Sequence, residues 1–298
     1  MAATKNEEQV SNVRRAKHGW ILTVIFSILS LLWIAPILVV FMNSFKRKAF
    51  IFQHPFSLGT EPITAGWEKF VHGVQRAFCG WLNYSNGIRK TDFVHCFGTS
   101  LLITVGSVAL IIICCSMTRV HTKLTKGIYI LCLFSMIVPF QMVMFTLSKF
   151  ANILHLSNPF GIMIVYLGFG AGLAVFMFTG FVKSISLEIE EAAMIDGCTP
   201  LQTYFRVVFP ILKPTTVTVA ILEAMWVWND YLLPYLVLNV NKYKTIPIAV
   251  QFLKQSHGQL DWGAMMAVLV LAILPIVIFY IACQKYIIEG VLAGAVKG

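Results

Sequence analysis

Residues Glu191 to Pro214 read E-A-A-M-I-D-G-C-T-P-L-Q-T-Y-F-R-V-V-F-P-I-L-K-P, a polar interruption in a chain that is otherwise almost wholly apolar. Seven charges fall between Val182 and Thr215: Lys183, Glu188, Glu190, Glu191, Asp196, Arg206 and Lys213. At about 2.5–3.5 kcal/mol for each charge held at a bilayer centre, burying them would cost on the order of 20 kcal/mol. The stretch therefore belongs outside hydrocarbon. Its grammar is helix, turn, helix. Ser186 suits an N-cap, and Glu188 and Glu190 then sit in the first turn, where the helix dipole favours acids. Gly197 fits the end of that helix. Thr199-Pro200-Leu201-Gln202 reads as a capping box with proline at the first helical position. Pro210 and Pro214 stop or bend the chain before the next apolar run. On these residues alone two readings stay open, an amphipathic connector on the membrane surface and a docking surface for a soluble partner.

Of the 298 residues, 58% are hydrophobic and only 12% charged, and the mean hydropathy is +0.77. That composition excludes an ordinary water-soluble globule. The apolar residues come in six blocks near the roughly 20 needed to cross a bilayer as a helix. They lie at about Trp20–Met42, Phe97–Met117, Ile128–Leu147, Phe160–Val182, Thr215–Leu238 and Ala264–Cys283. The first follows Arg14, Arg15 and Lys17 but has no small-residue cleavage site, so it reads as an uncleaved span. The net charge of +10 is accounted for by basic residues flanking spans and requires no nucleic acid. With the N-terminus inside, 12 Lys and Arg fall on inner segments and 11 on outer ones, almost a tie. Arg14, Arg15, Lys17, Arg119, Lys123 and Lys126, all near span ends, favour that orientation, with the C-terminus inside as well.

Other features are quieter. Cys79 and Cys96 fall in or just beyond the long loop 43–95 and are free to pair, although nothing in their spacing demands it. That loop, with Trp67, Phe70, Phe78 and Trp81, is either a small folded cap or an insertion without a transport role. No Cys or His cluster has metal-ligand spacing, and His121, His155 and His257 stand alone in expected loops. Gly168 and Gly172 form G-x-x-x-G, with Gly170 between and Gly180 beyond, a pattern for close helix packing. The sequon Asn83-Tyr84-Ser85 is read as fortuitous.

Ionisable residues inside spans usually face a bundle interior or an aqueous path. The fifth block holds Glu223 and Asp230, which with Val227 and Pro234 fall on one helical stripe. Trp226, Trp228, Asn229 and Tyr231 surround it, and aromatic faces beside hydrogen-bonding groups suit a sugar. Gln141, beside the kinking Pro139 in the third block, is a further candidate for the path. Polar packing between helices is the alternative for each.

The opening stretch resembles the E-A-A signature of ABC-importer permeases, carried by Glu191, Ala192, Ala193, Gly197, Val207 and Pro210. Cys198 stands where alanine is commoner, and Phe209 where leucine is. Trp228-Asn229-Asp230-Tyr231 and the tail Gly290–Gly298 resemble carbohydrate-uptake permeases, specifically the subunit similar to the second, six-span permease of the maltose system. The resemblance is firm from about Phe97 to Gly298. It implies an all-α membrane protein with six transmembrane helices, of the ABC-importer type I permease kind. Residues 1–19 and the tail 284–298 would be cytoplasmic, loop 43–95 extracellular and loop 183–214 a cytoplasmic coupling element; residues 20–298 would form a single transmembrane permease domain. Glu191, Ala192, Ala193, Asp196, Gly197, Val207 and Pro210 would contact a cytoplasmic ATPase dimer. A second permease subunit forming a heterodimer, an extracellular solute-binding protein and membrane lipid are the other implied partners, in a bacterial cytoplasmic membrane. No cofactor is expected in this chain; ATP and Mg would be bound by the ATPase. The sequence agrees, because it has no G-x-x-x-x-G-K-[ST] and no Gly-Lys pair at all.

Two other classes fit the sequence less well. An ion-coupled secondary transporter would have no use for a soluble coupling element. A membrane enzyme would need a nucleophile, metal or acid–base cluster that the sequence does not offer. The expectation is a non-enzymatic permease subunit that moves a sugar or oligosaccharide by alternating access.

Overall fold

A computed structural model describes residues 19–116, 123–183, 185–253 and 261–295. Arg14, Arg15, Lys17, Arg119, His121, His257 and the last three residues of the tail lie outside the described residues. Every regular element among the described residues is helical, as the all-α reading expects, and one isolated antiparallel bridge joins Lys46 to Phe78. The chain forms two compact units, Met1–Asn83 and Tyr84–Gly298.

In the first unit, α1 (Gly19–Ser44) is a 26-residue apolar helix, exposed from Trp20 to Leu38. Such a surface is at home only in lipid or against another apolar helix. The following segment folds around Lys46. This residue is 2% exposed, and its ammonium donates to the carbonyls of His54 (2.9 Å) and Ser57. Burial lowers the affinity of that ammonium for its proton, and the two carbonyls satisfy its donors. Asn83 Nδ2 donates to the carbonyls of Ser44 and Lys46, each at 2.8 Å, so the sequon asparagine is a buried structural residue. Phe45 stacks on Phe78 and meets Trp81 edge-on. With α2 (Lys48–Gln53), α3 (Trp67–Ala77) and the start of α4 (Leu82–Thr91), these contacts make a small folded cap. Cys79 and Cys96 are free thiols, and burial pushes the Cys79 thiol up, away from reactivity. Cys96 belongs to the next helix rather than to the loop.

The second unit is built on α5 (Phe93–Ser116) packed against α8 (Pro159–Val182). Helix α6 (Lys123–Ile137) lies on α8, α11 (Lys213–Asn229) packs on α5, α8 and α14 (Trp262–Ala295), and the short α13 (Ile246–Gln251) packs on α5 and α14. Asn158 caps α8 by accepting from the Phe160 and Gly161 amides at 3.1 and 2.9 Å. Lys90 of α4 pairs with Asp261 at 2.5 Å, and Asp261 caps α14 through the Ala264 amide at 3.3 Å. Among the described residues four helices are long and apolar enough to cross a membrane, or six if each of two bent pairs is counted as one span.

Those bent pairs correct two expected spans. Ile128–Leu147 is not one kinked helix: α6 ends at Ile137, and α7 (Phe140–Ile153) leaves at 113° with Pro139 as its N-cap. Proline alone does not set that angle, since Pro36 and Pro275 sit inside unbroken helices. Packing does: Ser148 Oγ on α7 donates to the Leu236 carbonyl at 2.7 Å. His155, at φ 56°, turns the chain after α7.

Thr215–Leu238 is likewise interrupted. Helix α11 stops at Asn229, Asp230 is extended (ψ 126°), and α12 (Leu232–Val237) restarts the chain. Pro234 has no N–H for the Asp230 carbonyl four residues back, and the Asp230 side chain takes the Leu232 and Leu233 amides at 3.0 and 3.4 Å. The expected single stripe Glu223–Val227–Asp230–Pro234 therefore does not exist on one helix.

The glycine pattern is also redistributed. A Cβ on Gly172 would meet Met136 Cγ at 2.4 Å and the Cys132 carbonyl oxygen at 2.7 Å, so this glycine sets the approach of α6 to α8. Gly168 and Gly180 face open space, and Gly170 makes the other close approach. Overpacking against a backbone carbonyl costs about 1–3 kcal/mol. Gly172→Ala should accordingly lower the thermal unfolding midpoint of the detergent-purified protein, while Gly168→Ala leaves it unchanged or slightly raised. Equal effects at the two positions would contradict this packing.

Candidate functional site

Two places in the second unit concentrate the polar chemistry. The first is an elbow from Ser186 to Leu212. Helix α9 (Leu187–Ile195) begins at Ser186, whose Oγ accepts the Glu188 amide at 3.2 Å. It ends in a Schellman turn: the Gly197 amide donates to the Met194 carbonyl and the Cys198 amide to the Ala193 carbonyl, both at 3.0 Å. Gly197 sits at φ +85°, where a side chain is strained and only glycine is at ease. Helix α10 (Pro200–Ile211) opens with a complete capping box, Thr199 Oγ1 taking the Gln202 amide and Gln202 Oε1 the Thr199 amide. From Tyr204 to Val208 it widens into a π turn. The missing N–H and the ring of Pro210 disfavour the ordinary ladder there, and the wider turn accommodates both. A 74° bend then separates α10 from α11.

The elbow is anchored on one side and open on the other. Ile185, Val208 and Leu212 are buried in a core cluster with Phe178 and Val182 of α8 and with Ile111 and Cys115 of α5. Ala193 is buried too, where its small side chain lets α9 lie close to α10. Glu191, Ala192, Asp196, Gly197 and Pro210 are exposed, and Val207 is half-buried. Beside them stand bare apolar side chains: Ile195 is 86% exposed and Leu201 63%, with Leu187 and Met194 also open. An isolated soluble surface rarely leaves so many large apolar groups uncovered in one place.

The second place is a pair of adjoining clefts along α11. One, of about 240 Å³, is lined by Phe140, Gln141, Phe169, Trp226, Asp230, Leu232 and Leu233. The other, of about 130 Å³, is lined by Phe169, Gly170, Leu173, Leu222, Glu223 and Trp226. Gln141, Glu223, Trp226 and Asp230 thus meet across the shared Phe169 and Trp226, despite the break in the helix. Asn229 does not join them. It lines a separate cavity with Trp228 and Tyr231, and its Nδ2 donates to the Met225 carbonyl of its own helix at 2.7 Å.

Glu223 is 2% exposed, and among the described residues its Oε2 has no hydrogen-bond partner. A Cβ on Gly170 would come within 2.8 Å of that oxygen, so the glycine makes the room in which the carboxyl sits. Asp230 is better served. Its Oδ2 accepts from Tyr166 Oη at 3.0 Å, while Oδ1 holds the two amides of α12. Tyr166 is fully buried and packs edge-on against Trp226, with ring centroids 5.4 Å apart. Sequence reasoning did not single it out. The signal was available, because a tyrosine in an apolar span carries a hydroxyl that has to find a partner.

Residues 103–292 match the family described as binding-protein-dependent transport system inner membrane component. The chain is 36% identical to the probable starch degradation products transport system permease protein AmyC of Thermoanaerobacterium thermosulfurigenes, over 93% of this chain and 97% of that one. It is 32% identical to the multiple sugar-binding transport system permease protein MsmG of Streptococcus mutans, over 92% and 95%. It is also 32% identical to the melibiose/raffinose/stachyose import permease protein MelC of Bacillus subtilis, over 95% and 99%. Among solved structures it superposes, at TM-score 0.71 and 22% identity, on a chain of a bacterial ABC transporter involved in the import of the acidic polysaccharide alginate. That match covers 92% of this chain and 98% of the other, and it establishes a shared fold.

The Tyr166–Asp230 bond spans 64 residues and holds the break at the end of α11 to α8. A hydrogen bond to a charged group contributes about 1.5–3 kcal/mol. Tyr166→Phe keeps the packing volume and should lower the thermal unfolding midpoint; an unchanged midpoint would show that this bond does not hold the break.

Proposed function

This chain belongs to the family of binding-protein-dependent transport system inner membrane components, and on that premise we propose that it is the permease subunit of an ATP-driven importer of sugars or oligosaccharides. The observation that carries the reading is the elbow. A rigid two-helix projection, closed by a left-handed glycine and rooted in the core through Ile185, Val208 and Leu212, exposes charge and large apolar groups together. The sequence holds no nucleotide motif, so the energy enters through another polypeptide. Glu191, Ala192, Asp196, Gly197 and Pro210, with half-buried Val207 at their edge and buried Ala193 packing beneath them, form the surface on which a cytoplasmic ATPase dimer, carrying ATP and Mg, docks. Because the elbow is rigid and joined to α8 and α11, a push on it moves the spans as bodies and alternates access across the membrane.

The sugar assignment follows the names of the relatives and suits the clefts, where Trp226 offers an aromatic face and Gln141, Glu223 and Asp230 offer hydrogen bonds. A second permease subunit completes the path, and an extracellular solute-binding protein delivers the sugar. The elbow and both termini then face the cytoplasm, and the loop 43–95 faces outward, in a bacterial cytoplasmic membrane.

The test is uptake by the assembled complex of labelled neutral oligosaccharides, maltotriose and raffinose among them. Uptake should require ATP, and an ATPase and a second permease should co-purify with this chain. Gly197→Pro, which cannot adopt φ +85°, and Glu191→Lys, an exposed change with little effect on folding, should each abolish uptake while membrane expression persists. Full uptake by both variants, or uptake by this chain alone driven by an ion gradient, would overturn the reading.

A further inference from the structure

The clefts beside α11 combine acceptors with an absence of cations. Of their lining residues, two are carboxylic acids, Glu223 and Asp230, one is the amide Gln141 and one the indole Trp226; the rest are apolar, and no Lys, Arg or His is among them. We propose that this path, on the sugar-import reading above, selects uncharged, hydroxyl-rich saccharides and turns back saccharides that carry carboxylates.

Asp230 is surrounded as an ionised carboxylate is. Three donors converge on it, Tyr166 Oη and the Leu232 and Leu233 amides, with no acceptor opposed. Glu223 is the complementary case. Among the described residues its buried Oε2 has no hydrogen-bond partner, and the room the carboxyl occupies exists because residue 170 is glycine. A buried carboxyl oxygen without a donor is costly, and that cost is relieved by any group that brings O–H into the cleft. Sugar hydroxyls do so. A uronate keeps its ring hydroxyls, but its carboxylate at neutral pH only accepts, so where it replaces the C6 hydroxyl it brings Glu223 no donor and adds like-charge repulsion against Asp230. Low-dielectric walls strengthen that repulsion over its value in water. Trp226 lines both clefts and is 41% exposed, a face against which the apolar side of a pyranose ring can lie while its hydroxyls meet the acids on either side.

The experiment measures binding of maltotriose, and of the same trisaccharide oxidised at C6 to its uronates, to the assembled importer in lipid nanodiscs. The solute-binding protein is omitted, so that only the membrane path selects. Saturation-transfer NMR titrations should give maltotriose at least roughly tenfold the affinity of its uronate form, the scale of one like-charge contact in a partly dry site. Glu223→Gln should narrow that ratio, and Glu223→Gln with Asp230→Asn should bring it within about threefold. The Glu223→Gln variant breaks no hydrogen bond at the helix break, so it reports on selection even if the double variant fails to assemble. Equal affinities for the two sugars in the wild type, or a preference that both variants leave unchanged, would overturn the inference and leave the transport reading standing. Failure to bind maltotriose while ATP-dependent uptake of neutral sugar persists would overturn it too. Absence of neutral-sugar uptake as well would bring down the underlying reading.

Discussion

The seven charges between Lys183 and Lys213 cannot rest in hydrocarbon, yet the residues on either side of them are membrane helices, and the second unit is arranged around that conflict. The chain has to leave the span, travel through water and return at a fixed place. It does so through local devices that satisfy their own backbone groups. A serine cap starts α9, a Schellman turn at Gly197 ends it, and a capping box starts α10. The return is fixed by apolar roots, with Ile185 on the way out and Val208 and Leu212 on the way back, all in one cluster with α5 and α8. Rigidity in the elbow and continuity with the core are the two properties that a lever needs.

The same economy of polar groups governs the spans. At the breaks before α7 and α12, a side chain or packing contact supports the chain where the ladder stops. Asp230 holds the amides of α12 after α11 ends, and Ser148 ties α7 to the Leu236 carbonyl after the sharp bend at Pro139. Those breaks also create the clefts. Phe140 and Gln141 reach Trp226 and Asp230 because α7 turns away from α6. The buried Tyr166 binds the aspartate from α8, so the end of α11, the start of α12 and α8 are tied together at Asp230.

The parts of this arrangement that were legible in the sequence are those decided over a few residues. Ser186, Gly197, Thr199 and Gln202 announce their caps because a cap is a short-range hydrogen bond. The apolar blocks announce spans because length and composition suffice. What was not legible depends on packing at a distance. Pro139 reads as a kink, but the 113° turn is set by contacts between α7 and α12. The π turn at Tyr204–Val208 has no composition of its own. The pair Gly168 and Gly172 reads as one motif, yet only Gly172 meets a neighbouring helix, because side-chain spacing does not say which face is covered. Glu223 and Asp230 were singled out by their charge alone. Their two adjoining clefts rest on the helix break, which a single helical stripe does not anticipate.

On the proposed function, a cytoplasmic ATPase covers the exposed elbow. Ile195, the most exposed apolar side chain on it, is the place to ask. In a cysteine-free background, maleimide labelling of Ile195→Cys can be compared between the assembled complex and the permease stripped of its ATPase. The account predicts fast labelling in the stripped permease and strong protection in the complex. Equal labelling in the two would contradict it.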